Sequence, residues 1–169
     1  MKMIKTSLAA ALLVALVGCQ STKTTEATDA APAPALSPEE VAVFMQACDN
    51  PNSAAEGPIS QTLFVVGTFE DSEWAFVPQR EFAYKGNNIY QAVVDEKPGT
   101  FTMQYAAEFW FPQFTAKDKS LNIGERKMLQ FGGYGADTAV TIEDEGKYVW
   151  SLQFEAEGKP LTISLNKCQ

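Results

Sequence analysis

The 169-residue sequence contains no histidine. That absence excludes Ser-His-Asp and Cys-His nucleophile systems, His-ligated zinc sites and a histidine pH switch. Cysteine is scarce: there are three, one short of an all-cysteine tetrahedral zinc site. Basic side chains are outnumbered, 13 Lys and Arg against 21 Asp and Glu, for a formal net charge of −8. Nucleic-acid binding needs a Lys/Arg surface that displaces counterions, so no nucleic-acid partner is expected. Long hydrophobic runs are missing too. The apolar run at residues 7–18 falls short of the ~20 residues that span a bilayer. What is present is a globular composition, 46% hydrophobic and 11% aromatic.

Lys2 and Lys5 precede the short apolar run, as in a secretory leader. The run ends in Leu16-Val17-Gly18-Cys19. This tetrapeptide resembles the lipobox of bacterial lipoproteins. The resemblance implies diacylation of the Cys19 thiol, cleavage before it and acylation of the new amino group, leaving residues 1–18 as signal peptide. Gln20, where Asp would mark retention, implies a lipid-anchored protein of the bacterial outer membrane. Three acyl chains exceed the two signals that stable anchoring requires. Loss of the leader removes two lysines and leaves 11 basic against 21 acidic side chains. Residues 19–36 carry the lipidated cysteine and a Ser-, Thr-, Ala- and Pro-rich stretch without apolar period, read as a flexible tether.

Residues 37–169 suffice for one domain with one core. Ser37, Pro38 and Glu40 make an N-cap, a first helical position and a capping box. Val41, Phe44, Met45 and Cys48 follow at helical spacing. Beyond residue 60 the period becomes two. Residues 61–67 are apolar on both faces, as in a central sandwich strand. Strands are expected at 82–85, 89–95, 101–106, 138–142, 148–154 and 161–165, separated by Gly-, Pro- and Asn-rich turns. The pattern predicts an all-β, antiparallel sandwich of seven or eight strands with a short N-terminal helix. Once Cys19 is lipidated, Cys48 and Cys168 remain, and an even pair in an exported protein normally bridges; two buried thiols are the alternative. The loop would span 120 residues, and its closure would stabilise by at most about 4–5 kcal/mol in the chain-entropy treatment.

Five segments, in order, carry a further resemblance: LFVVGTFEDSEW (63–74), YKGNNIYQA (84–92), PGTFTMQYAAEFW (98–110), FGGYGADTAVTI (131–142) and GKYVWSLQF (146–154). Together they resemble the glycogen- and starch-binding modules, the Ig-like domains attached to pullulanases and branching enzymes. The resemblance implies an Ig-like β-sandwich that binds α-glucans (glycogen, starch or maltodextrin) without cleaving them. Its two platform tryptophans fall on Trp74 and Trp110. The family's Lys falls on Gln104 and its late Asn near Asp137, both of which keep hydrogen-bonding capacity toward sugar hydroxyls. Tyr134, in the Gly-rich segment, is a further candidate contact. The departures are the Glu70-Asp71-Ser72-Glu73 insertion and the loss of the Lys and the Asn. They leave open a second reading, a structural or protein-interaction module of the envelope. A secreted amylase or pullulanase is a candidate partner under the first reading.

Trp150 alternates cleanly with Tyr148 and Leu152 and is read as core. The aromatic run Phe109-Trp110-Phe111-Pro112-Gln113-Phe114 is either a solvent-facing interaction patch or a loop folded over the sandwich end. Two acidic clusters, Glu70-Asp71-Glu73 and Glu143-Asp144-Glu145, supply the carboxylates a glycosidase would need. Both read as solvated turns, so no catalytic residue is expected. Neither cluster has EF-hand spacing, and no metal or cofactor is expected.

Overall fold

In the computed structural model the described residues are 35–169. The leader, the lipobox with Cys19 and the tether up to residue 34 lie outside them. Helix α1 (Pro38–Gln46) begins with the expected capping box. The Ser37 hydroxyl accepts from the Glu40 amide at 3.3 Å, and the Ser37 amide donates to Glu40 Oε2 at 2.7 Å. Hydrogen bonding to the carboxylate from Ser37, first its amide and then its hydroxyl, holds the Glu40 carboxyl below its ordinary pKa. Leu36, at the end of the expected tether, packs with Val41, Met45 and Ile89 under the helix.

The last turn of α1 is fastened to the sheet by side chains rather than by a glycine cap. Gln91 Nε2 donates to the Phe44 and Ala47 carbonyls, each at 3.2 Å. Asn50 Nδ2 donates to the Phe44 carbonyl at 2.7 Å and Ser151 Oγ to the Met45 carbonyl at 2.7 Å. These bonds satisfy carbonyls that every helix C-terminus leaves open. Cys48 and Cys168 form a disulfide with Cα atoms 5.9 Å apart. It ties the second residue after α1 to the residue that follows the last strand.

Nine strands follow: β1 (Leu63–Gly67), β2 (Ala83–Gly86), β3 (Ile89–Glu96), β4 (Gly99–Ala107), β5 (Gln113–Ala116), β6 (Arg126–Phe131), β7 (Thr138–Ile142), β8 (Gly146–Phe154) and β9 (Pro160–Lys167). All strand pairs are antiparallel. The order is β1-β4-β5-β6-β9-β8-β3-β2, with β7 also on β4. A bridge between Phe64 and Glu81 brings the two ends of this path together, so the sheet curls into a sandwich-like shell. The β2–β3 hairpin turns on Asn87 and Asn88, both left-handed (φ 52° and 59°), the type I′ geometry that Asn tolerates.

The fold class is as the alternation predicts, but the strand count is higher. The two unexpected strands are β5 and β6. The first is four residues long; in the second only Leu129 is buried. Strands that carry the sheet across a bend do not present a clean period of two, which is the signal used. One reading of β1 is also corrected. Its five residues are buried on both faces, yet it lies at the end of the sheet path rather than at its centre.

Two layers cover β1. Leu63 and Val65 face the main core with Met103, Tyr105, Phe114, Trp150 and Leu165. Phe64 and Val66 face outward, where Trp74, Phe76 and Trp110 pack over them and Ala106. Trp150 is fully buried, as its alternation implies. Residues 35–169 are one compact unit with its own core and its own disulfide.

Candidate binding cleft

Gln104 of β4 and Gln113 of β5 lie in the floor of a cleft of about 610 Å³. Trp74, Gln104, Trp110, Gln113, Tyr134, Gly135 and Asp137 line it. All five residues singled out for sugar contact, Trp74, Trp110, Gln104, Tyr134 and Asp137, are therefore brought to one place from three separate loops and one strand.

Trp74 is set by the turn that leaves β1. Gly67 ends the strand where a Cβ would come within 2.3 Å of the Thr102 carbonyl oxygen, so only glycine fits. Phe69, 1% exposed, plugs the turn into the core. Backbone bonds from Glu73 to Phe69 (2.8 Å) and from Trp74 to Gly67 (2.7 Å) wind it tightly. An ion network clamps it from below. Arg80, 3% exposed, donates to both Glu96 oxygens at 2.9 Å and to Asp71 at 2.9 and 3.1 Å. Its guanidinium carbon lies 3.6 Å from the centre of the Phe69 ring. The indole nitrogen of Trp150 donates to Glu96 at 2.8 Å, completing the buried carboxylate's shell.

Trp110 ends a single turn, Glu108–Trp110, between β4 and β5. Gln113 Nε2 donates to its carbonyl at 2.6 Å. The two tryptophans share an unusual backbone. Each is the second of two consecutive left-handed residues: Glu73 and Trp74 (φ 43° and 68°), Phe109 and Trp110 (φ 63° and 62°). For residues with a Cβ this costs roughly 1–2 kcal/mol apiece, and such strain gathers at functional sites. Phe109 offers a direct test, because its ring is 93% exposed and contributes little packing. Phe109→Asn should raise the urea midpoint with an unchanged m-value, a gain of about 1 kcal/mol.

The ring centroids of Trp74 and Trp110 are 6.2 Å apart and their planes meet at 41°. They are not coplanar, and both are partly buried, packed on Phe64, Val66 and Ala106. Phe76, 5.2 Å from Trp110, buttresses the pair from behind.

Gln104 lines the cleft with its amide nitrogen already engaged inside the protein. Its Nε2 donates to Asp137 Oδ1 at 2.8 Å and to the Gly133 carbonyl at 3.1 Å. Only an amide nitrogen can sit between two acceptors, so the orientation of the side chain follows. Its Oε1 is buried and finds no donor among the described residues. Gln104 is thus a strut that holds the β6–β7 loop. Asp137 is half-buried at the cleft wall with acceptor capacity left over, and Tyr134 is fully exposed on the same loop. Gln113 is a cleft residue that sequence reading passed over. Its neighbours in the aromatic run drew the attention, and a lone Gln carries no pattern.

The acidic clusters are occupied elsewhere. Asp71 is held by Arg80, Glu70 by Lys97 at 3.2 Å and Asp144 by Lys167 at 3.2 Å. None of these carboxylates lines the tryptophan cleft.

This chain is 43% identical to AmyP-SBD, whose solved structure is described as ligand-induced. The match covers 95% of this chain and 97% of that one, with a TM-score of 0.60. The chain belongs to the family of the AmyP starch-binding domain. That domain is a carbohydrate-binding module and is not catalytic. No family model and no curated protein matches the chain. Membership in the AmyP starch-binding family fits a cleft built from two tryptophans, an acceptor carboxylate and an exposed tyrosine. Aromatic faces with a few placed polar groups are what a sugar site requires.

Proposed function

We propose that the domain binds α-glucan chains (glycogen, starch or maltodextrin) in the Trp74–Trp110 cleft and does not cleave them. The observation that carries this reading is the convergence of both tryptophans with Asp137 and Tyr134 on one cleft, in a chain closely similar to a starch-binding domain. Glucose rings would lie on the indole faces. Asp137, steadied by Gln104, would accept from a sugar hydroxyl. The further kinship proposed, to the modules of pullulanases and branching enzymes, rests on the five sequence segments. The lipobox around Cys19 supports delivery to the outer membrane, where many anchored copies would raise effective affinity for a polymer by avidity. A secreted amylase or pullulanase working on the same polymer is the partner this reading suggests.

Asp137→Ala tests the polar half of the site. A hydrogen bond to a charged group is worth about 1.5–3 kcal/mol. Calorimetric titration with maltoheptaose should therefore show affinity reduced at least tenfold, with the fold intact by circular dichroism. An affinity unchanged within twofold would remove Asp137 from the site.

A further inference from the structure

Three phenylalanines outside the cleft lining are exposed, Phe131 at the end of β6 and two beside Trp110. Phe109 is 93% exposed and Phe111 is 78% exposed. They flank Trp110 in sequence, on the turn that forms one wall of the cleft. Neither is an accident of composition. Pro112 and Phe114, the next members of the run, are buried, so the segment turns its other apolar residues inward. Phe109 is moreover held out on a left-handed backbone. Exposed apolar rings on a strained turn oppose stability twice over, the pattern expected where binding maintains them.

We infer that Phe109 and Phe111, with Tyr134 on the β6–β7 loop, form an outer aromatic rim that takes the α-glucan chain where it leaves the cleft. This extends the reading above and rests on it. A cleft of about 610 Å³ has the size of a small-ligand site. A polysaccharide is longer, so its chain must run out over a wall, and the Trp110 wall is apolar. The surrounding charge selects the occupant. Glu73, Glu108 and Asp137 are the charged residues beside the two tryptophans and on the cleft wall, and no Lys or Arg lines the cleft. The chain as a whole carries −8. An acidic, apolar rim suits a neutral, hydroxyl-rich chain and repels an anionic lipid surface.

The test compares a short and a long ligand on the unit of residues 35–169, with Phe109→Asn/Phe111→Ser as the variant. Asn tolerates the left-handed backbone, and both side chains are exposed, so the variant should fold. The parent protein should bind maltoheptaose about tenfold more tightly than maltotriose, a gain that two further aromatic contacts would supply. In the variant maltotriose binding should stay within twofold and the length advantage should vanish. An undiminished advantage would overturn the rim while leaving the cleft reading intact. So would binding to phosphatidylcholine vesicles that depends on the two phenylalanines with no change toward maltoheptaose. A parent protein that binds neither oligosaccharide would overturn the cleft reading and the rim together.

Discussion

Trp74→Ala/Trp110→Ala is expected to abolish detectable α-glucan binding, a loss of at least a thousandfold. Buried or half-buried tryptophans at binding sites commonly contribute 2 kcal/mol or more on truncation, and about 4 kcal/mol is a factor near a thousand. The rings lie 6.2 Å apart, close enough for one glucan chain to lie on both. Their effects should therefore couple, with either single variant already removing most of the binding. Both indoles also cover Phe64, Val66 and Ala106, so truncation exposes apolar surface on β1. Trp74→Phe/Trp110→Phe separates the two roles. It keeps most of that cover and should preserve the thermal midpoint within a few degrees while still weakening binding. A double alanine variant that folds and binds like the parent would show that the cleft is not the site.

Arg80→Met is expected to be the most damaging single substitution away from the cleft, costing about 3–5 kcal/mol. The loss is not that of a surface ion pair. Arg80 and Glu96 are 3% and 1% exposed, and removing the guanidinium strands a buried carboxylate. A typical domain has 5–15 kcal/mol of stability in total, so the variant would sit near its threshold. The pairing with Asp71, which is 46% exposed, contributes less. Arg80→Met/Glu96→Gln should recover most of the loss, because no charge is stranded and the new amide oxygen still accepts from the Trp150 indole. Denaturant titration of the three proteins measures this directly. Equal stability of single and double variants would contradict the account. The clamp also has a functional reading: Asp71 lies in the turn that presents Trp74, so the single variant should bind α-glucan more weakly even where it remains folded.

Much of this was legible in the residues. Alternation gave the strands whose two faces differ, such as β7, where Thr138, Val140 and Ile142 are buried and Thr141 is exposed. The Ser37–Glu40 capping box and the Cys48–Cys168 bridge were readable because each rests on residue types with one dominant use. The short strands β5 and β6 were not readable, because Lys127, Met128 and Gln130 carry no period. The doubly apolar β1 was misplaced for an instructive reason. Apolarity on both faces reports cover, and an aromatic platform covers a strand as well as a second sheet does. The bonds from Gln104 Nε2 to Asp137 and Gly133 could not be read either, because they join residues some thirty apart in sequence. The Arg80–Glu96 clamp joins residues sixteen apart across two elements, a pairing that no local pattern announces.

The most direct test of the central claim is affinity electrophoresis of the unit of residues 35–169 in native gels cast with glycogen, amylopectin, pullulan or a β-glucan. Retardation in the α-glucan gels, and none in the β-glucan gel, is the predicted result. Equal mobility in every gel would contradict α-glucan binding and leave the domain as a protein-interaction module of the envelope.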